Sequence, residues 1–168
     1  LKKLVREKSK KDDKIYKPYV ERVKAVEGKI KTLSNDELRA KTIEFKELIK
    51  AATEKFENEI KTLEKQVDDN PAMDFQKKEE IYAKVDKLKK TVDEEIEEVL
   101  EGILPEAFAV VKETATRFAA DGDVVVTATD YDRELAENWD FVSIEGDKAL
   151  YHRSWTAAGA EVTWNMIH

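Results

Sequence analysis

The two histidines are the first residues whose chemistry could mark a metal or acid–base site. They are His152 and His168, and no cysteine accompanies them anywhere in the 168 residues. A zinc site needs three or four ligands drawn from histidine, cysteine and carboxylates. We therefore interpret both histidines as ordinary side chains, one in a strand and one near the end of the sequence. The sequence predicts no metal site, no disulfide and no cysteine nucleophile.

Two clusters of acidic residues are the next candidates. The first is D-E-E-I-E-E at residues 93–98, whose carboxylates would point in several directions around a helix axis. General acid–base catalysis instead needs two carboxylates directed at one pocket. The second cluster starts like a calcium loop but has no glycine or glutamate at the EF-hand positions; its residues are Asp130, Asp132, Arg133 and Glu134. We interpret the first cluster as a solvated helix face and the second as a capped loop or short helix.

Phosphate-binding and nucleophile motifs are missing from the sequence. It contains neither G-x-x-x-x-G-K-[ST] nor G-x-G-x-x-G, and no G-x-S-x-G nucleophile elbow. We therefore predict no catalytic residue within this chain, and an independent nucleotidase or hydrolase is disfavoured.

The charge distribution is uneven. The chain has a net charge of −7, which disfavours general binding to nucleic acid. Residues 1–24 nevertheless contain ten lysines and arginines against four acids. This segment is either a solubilising tail or a contact for acidic lipid or an acidic partner surface. No apolar run reaches the length of a membrane span, and the start has no apolar signal-peptide core. We expect a soluble, cytoplasmic protein.

Two long helices are predicted by seams of apolar residues spaced three and four apart. The first follows the capping box S-N-D-E at residues 34–37 and should end before Pro71. The second should be capped by Asp74. The seam residues are Leu38, Phe45, Ile49, Ala52, Phe56, Ile60, Leu63 and Val67, then Ile81, Val85, Leu88, Val92, Ile96, Val99 and Ile103. Joined by a short turn, the seams predict an antiparallel helical hairpin, although they could also pair between chains.

The other prolines predict further helix boundaries. Pro18 is compatible with the first turn of a helix, which would carry an apolar stripe through Ile30. Gly102 and Pro105 should break the second long helix, so that Pro105 begins another helix through about Phe118.

The character of the sequence changes after residue 120. Residues 124–129, 141–144, 149–153 and 161–164 are rich in β-branched and aromatic residues and bounded by turn residues. They predict a small antiparallel sheet near the C-terminus. The fold class is therefore α+β and mainly α, with a long antiparallel helical hairpin, flanking helices and this sheet.

Residues 33–46 and 104–113 contain two motifs that resemble segments of the SecA family of bacterial protein translocases. Residues 33–46, L-S-N-D-E-L-R-A-K-T-I-E-F-K, resemble the family segment L-S-[DN]-[ED]-E-L-x-x-K-T-x-E-F. Residues 104–113, L-P-E-A-F-A-V-V-K-E, resemble the more specific family segment L-P-E-A-F-A-V-V-[RK]-E, and the two occur in the family's order.

The resemblance implies the N-terminal part of an ATP-hydrolysing motor that drives preprotein export. Such a motor uses ATP and Mg²⁺ and works as a peripheral protein on the cytoplasmic face of the inner membrane. Its implied partners are the SecYEG channel, preproteins and anionic phospholipids, with a possible homodimer and no nucleic acid. The resemblance places no ATP site, cofactor or activity in this chain alone, because the adenine-reading and phosphate-binding motifs of the family come later. Only Met166 and His168 would border the adenine site.

The same comparison of motifs divides the chain into five parts. Residues 1–49 are a basic segment and motor-domain helices, 50–103 an inserted helical hairpin, and 104–118 a motor-domain helix. Residues 119–163 are a β-rich insertion, and 164–168 lead towards the nucleotide site. The alternative is a stand-alone helical-hairpin module for protein interaction, and a weaker one is a lipid-binding adaptor.

Overall fold

The computed structural model describes residues 2–120 and 122–164, with side chains from residue 14 onward. Helices α1, α2 and α3 precede strand β1, helix α4 and strands β2 to β5. Their bounds are α1 Lys2–Lys31, α2 Asn35–Asp68, α3 Phe75–Ala119, β1 Val124–Thr127, α4 Asp130–Asn138, β2 Val142–Glu145, β3 Lys148–Tyr151, β4 Ser154–Ala157 and β5 Ala160–Thr163. The predicted class, mainly helical α+β, is confirmed.

The predicted caps set the ends of the long helices. The backbone N–H of Glu37 donates to the Ser34 hydroxyl at 3.2 Å, and the Ser34 N–H donates to the Glu37 carboxylate at 2.7 Å. This reciprocal box satisfies two donors that the first turn of α2 would otherwise leave unpaired. At the start of α3, the Asp74 carboxylate accepts from the N–H of Gln76 at 3.0 Å. Both predicted caps are confirmed, and α2 ends at Asp68 before Pro71.

The predictions made from Pro18 and Pro105 were wrong. Pro18 lies inside α1 and not in its first turn, and Pro105 lies inside α3 and does not begin a new helix. A proline removes one helical hydrogen bond and crowds the preceding turn, which favours a helix end when nothing else acts. Long helical segments flank both prolines, and the Pro105 ring is buried. Burial around Pro105 therefore outweighs the local preference in α3, whereas Pro18 is exposed and no packing explains why α1 continues through it.

Gly102 should lower the stability of α3, although the space around it would accept a larger side chain. A Cβ built there meets no atom within 4 Å. Gly102→Ala is expected to raise the free energy of unfolding by roughly 0.5–1 kcal/mol, because alanine loses less backbone entropy in a helix. Urea unfolding followed by circular dichroism measures the change. A lower stability for the variant would mean that α3 needs a departure from helical geometry at this position.

Residues 42–104 form one compact unit. It contains most of both predicted seams, with Ile60, Val67 and Val85 buried and the other seam residues of the unit half-buried. Lys84 pairs with Glu59 at 2.6 Å and Lys89 with Glu64 at 3.1 Å, which joins α2 to α3. The seams therefore pair within one chain. That this hairpin is an insertion into a family scaffold stays a prediction.

The other unit contains residues 1–41 and 105–168 as far as the structure describes them. Its larger sheet has the strand order β1-β3-β2, and both pairings are antiparallel. Val126, Val142 and Ala149 form the buried centre of this sheet. Around them pack Ala128, Leu135, Ala136, Phe141, Ile144 and Tyr151, so that α4 covers one face. The predicted small antiparallel sheet is present.

A second, two-stranded sheet follows the first. Strand β5 pairs antiparallel with β4. The sequence did not predict β4, because this strand has only four residues and two of them are the small residues Ser154 and Ala157. Trp164, directly after β5, contacts the rings of Phe118, Phe141 and Trp155, with centroids 4.8 to 5.7 Å apart. Its indole N–H donates to the carbonyl of His152 at 2.8 Å. This aromatic cluster connects the end of α3 with both sheets.

Within residues 2–120 and 122–164, no helix has the length and apolar character needed to span a membrane.

Candidate functional site

The most highly organised polar site surrounds Asp132 in the first turn of α4. Its side chain is fully buried, with 0% exposure. Arg39 of α2 donates to both carboxylate oxygens, at 2.8 and 2.9 Å. The Tyr151 hydroxyl of β3 donates to Oδ1 at 2.5 Å, and Thr129 donates to Oδ2 through its N–H at 2.7 Å and its hydroxyl at 2.8 Å. One carboxylate therefore joins α2, α4 and β3.

The hydrogen bonds to Asp132 decide its charge state. Burial alone would raise the pKa of this carboxyl, but the donors on Arg39, Tyr151 and Thr129 outweigh burial and hold its pKa well below the usual range. Burial and the bond to Asp132 raise the pKa of the Tyr151 hydroxyl. Asp132 is thus ionised and Tyr151 neutral across the physiological pH range.

This arrangement is suited to holding elements together and poorly suited to proton transfer. A general base needs a free lone pair and a pKa near the working pH. Both oxygens of Asp132 accept charge-assisted or short hydrogen bonds, and its pKa is shifted away from neutrality. We conclude that Asp132 fixes the position of the sheet relative to the first turns of α2.

The same end of α2 also pairs with the outer edge of strand β1. Asp36 accepts from the Thr127 N–H at 2.7 Å and from the Thr127 hydroxyl at 2.8 Å. The Asn35 amide donates to the carbonyl of Val125 at 2.9 Å. Because β1 is an edge strand, these groups would otherwise be open to pairing with another chain. The residues of the N-D-E-L-R segment thus cap their own helix and close a sheet edge.

Arg117 connects the last turns of α3 to this site. Its guanidinium donates to the Asn35 side-chain oxygen at 2.8 Å and to the carbonyl of Leu33 at 2.7 Å. It also pairs with Glu113 at 2.9 Å. The first two bonds place the C-terminal end of α3 beside the start of α2, and the bond to Glu113, one turn earlier in α3, orients the guanidinium.

The L-P-E-A-F-A-V-V-K-E segment contributes one face of α3 to the same unit. Ala109 and Val110 are buried. Glu106 pairs with Lys41 of α2 at 2.9 Å, and Lys112 pairs with Glu27 of α1 at 2.7 Å. Residues 33–41 of the first motif and 105–113 of the second therefore lie in one structural unit, and the Lys41–Glu106 pair joins them directly.

Loss of the Asp36 carboxylate should open the edge of β1 locally. Asp36→Ala is expected to make the Thr127 amide exchange with solvent at least about tenfold faster, because a hydrogen bond to a charged acceptor is worth about 1.5–3 kcal/mol. Hydrogen exchange read by NMR measures this. Amides of β2, which Asp36 does not contact, serve as the internal control. Equal exchange at Thr127 in both proteins would show that other contacts protect the strand.

The predicted candidates from the sequence do not form a common site. His152 pairs through Nδ1 with the Asp123 carboxylate at 2.8 Å, and that bond holds the pKa of Asp123 below its usual range. Met166 and His168 lie outside the residues that the structure describes. Among the residues that are described, no three histidine, aspartate or glutamate side chains converge as metal ligands.

Part of the Asp132 site was visible in the sequence. Thr129 and Asp132 form a capping box, T-x-x-D, and the predicted short helix is confirmed as α4. Arg39 and Tyr151 were missed, because only the tertiary fold brings them to Asp132 from α2 and β3.

Known proteins that resemble this chain include members of one family. Residues 1–136 match the family described as the SecA DEAD-like domain. Proteins named "Protein translocase subunit SecA" from Parabacteroides distasonis and Christiangramia forsetii are 48% and 49% identical to this chain over 166 and 168 residues. The protein of the same name from Porphyromonas gingivalis is 46% identical over 166 residues. No solved structure matches.

The aligned region covers very different shares of this chain and of its relatives. They include 99% to 100% of this chain but only 14% to 15% of the relatives. The hairpin and the β-rich segment therefore lie within the matched region.

Proposed function

This chain belongs to the SecA DEAD-like domain family, and from that membership we propose that it is the N-terminal portion of a SecA motor. The whole motor hydrolyses ATP to drive preproteins through the SecYEG channel, at the cytoplasmic face of the inner membrane. The pairing of Lys41 with Glu106, which joins the two family segments, supports the proposal. Arg117, four residues beyond the second segment, adds a bond to Asn35 of the first.

ATP and Mg²⁺ belong to the longer protein in this proposal. The residues described here do not fit Mg-ATP, because the sequence has no phosphate loop and the structure brings no set of metal ligands together. In this proposal the groups that carry out hydrolysis lie in the rest of the motor. The residues of this chain hold its elements in place. Asp132 and Asp36 hold the sheet, and Arg117 holds α3, against the start of α2.

Sequencing the gene beyond residue 168 tests the proposed origin directly. We expect G-x-x-x-x-G-K-T within a few tens of residues, since a glycine-rich loop and its lysine must cradle the phosphates. A reading frame that continues without this motif would contradict the assignment.

An ATPase assay tests whether ATP hydrolysis requires residues of the longer protein beyond this chain. The purified 168-residue chain should show no magnesium-dependent hydrolysis, whereas the longer protein should hydrolyse ATP. Robust hydrolysis by the chain alone would overturn the statement that its residues only position the motor.

The second candidate is a stand-alone helical-hairpin module for protein interaction. The compact unit of residues 42–104 favours it, since this unit packs its own seam. Under this hypothesis a stop codon follows closely after residue 168, and partners recovered by pull-down are unrelated to protein export.

A further inference from the structure

The two ends of the β-rich segment meet at one pair of aromatic rings. Phe118 lies in the last turn of α3, and Trp164 directly follows β5. Residues 119–163 separate them in sequence, yet their ring centroids lie 4.9 Å apart at an interplanar angle of 59°. The chain therefore leaves α3 at Phe118, forms both sheets and returns to the place that it left.

Trp164 is also fixed from the side of the sheets. Its indole N–H donates to the carbonyl of His152 at 2.8 Å. The Asp123 carboxylate holds this stretch in turn, because it pairs with Nδ1 of His152 at 2.8 Å and accepts from the N–H of Arg153 at 3.0 Å. Asp123 lies shortly after the end of α3, so that the start of the β-rich segment and the residue that follows it are tied to the same two positions.

Phe118 is fixed from the side of the long helices. Its neighbour Arg117 donates to the carbonyl of Leu33 at 2.7 Å and to the Asn35 side chain at 2.8 Å, which ties the last turns of α3 to the start of α2. A segment whose two ends lie side by side can be inserted into a fold without moving its neighbours. Through its contact with Phe118, Trp164 places the polypeptide that follows it directly beside the end of α3.

We propose that Phe118 and Trp164 are a positioning pair for nucleotide binding, because they fix where the polypeptide after β5 begins. The inference rests on the proposed function, in which residues 164–168 lead towards the nucleotide site of the longer protein. Neither ring contacts the nucleotide; both act through the backbone that continues from Trp164. Such positioning matters, since a misplacement of about 1 Å in a binding site can cost about a hundredfold in rate.

Binding of ADP with a fluorescent label on the ribose to the longer protein tests the pair. Trp164→Ala should weaken the affinity roughly tenfold, and Phe118→Leu should weaken it less because it keeps an apolar side chain beside Trp164. Trp164→Phe keeps a ring at the contact and should stay within about threefold of the parent affinity. In ATP hydrolysis, KM should rise with the loss of affinity while kcat changes little, since the pair contacts no reacting group.

Asp132→Asn is the matched control for loss of stability. It destabilises the same unit, but the bonds of Asp132 go to Arg39, Thr129 and Tyr151 and not to the pair. Its affinity for labelled ADP should therefore equal that of the parent at a temperature where circular dichroism shows both to be folded. If Trp164→Ala is unfolded at that temperature, Phe118→Leu and Trp164→Phe decide the result.

Equal losses of affinity in Asp132→Asn and in the variants of the pair would overturn the inference in favour of general destabilisation. Unchanged affinity in Phe118→Leu and Trp164→Ala, in a parent that hydrolyses ATP, would overturn the inference and leave the proposed function standing. A longer parent protein that neither binds labelled ADP nor hydrolyses ATP would overturn the proposed function, and this inference with it.

Discussion

Asp132→Asn should lower the free energy of unfolding of its unit by about 3 kcal/mol. Removing one partner of a buried ion pair costs roughly 3–5 kcal/mol, because the other charge is left unpaired. We expect the lower end of this energy range, because the Arg39 side chain is 35% exposed and water can solvate its charge. Urea unfolding followed by tryptophan fluorescence measures the loss, as all three tryptophans lie in this unit.

A matched substitution separates this effect from a general loss of acidic charge. Asp140→Asn changes an exposed carboxylate two residues beyond α4 and should alter stability by no more than about 0.5 kcal/mol. Equal stability of the Asp132 and Asp140 variants would show that the buried carboxylate contributes nothing beyond its charge.

The stabilisation of the fold by Asp132 should weaken at acidic pH. Because its folded pKa is depressed, the contribution is fully present above the unfolded value of about 3.9 and is lost as pH falls through the lower folded value. The stability difference between the parent chain and Asp132→Asn should therefore shrink below about pH 4. For Tyr151, whose folded pKa is raised, the contribution is present below about pH 10 and is lost as pH rises further.

Trp164→Ala should have an effect of similar size through packing. Its ring contacts Phe118 and Trp155 with centroids 4.9 and 4.8 Å apart, and its N–H donates to the carbonyl of His152. Truncating a large aromatic in such a cluster costs about 3 kcal/mol, because the transfer free energy and the filled volume are both lost. Circular dichroism during urea unfolding measures it, since the substitution removes a fluorophore.

Trp139→Ala is the control for tryptophan removal. Trp139 is mostly exposed and packs against a single ring of the cluster, so its loss should cost less than about 1 kcal/mol. A larger loss at Trp139 than at Trp164 would mean that the cluster is not centred on Trp164.

The sequence by itself determined the helical hairpin and its caps. Leu38 to Val67 and Ile81 to Ile103 repeat with one period, and local groups such as Ser34, Glu37 and Asp74 satisfy their own helix ends. These signals come from residues within a few positions of each other, and they do not depend on the rest of the fold. The two family segments were readable for the same reason, because each is a continuous stretch.

Only the tertiary structure decided what the long-range polar residues do. Arg39, Asp132 and Tyr151 come from three elements, and no spacing in the sequence relates a guanidinium of α2 to a carboxylate of α4. The helical path through Pro105 is a second case, since burial along α3 outweighs one lost hydrogen bond. Local rules predict the elements, whereas burial of a charge and closure of a sheet edge depend on which elements the fold brings together.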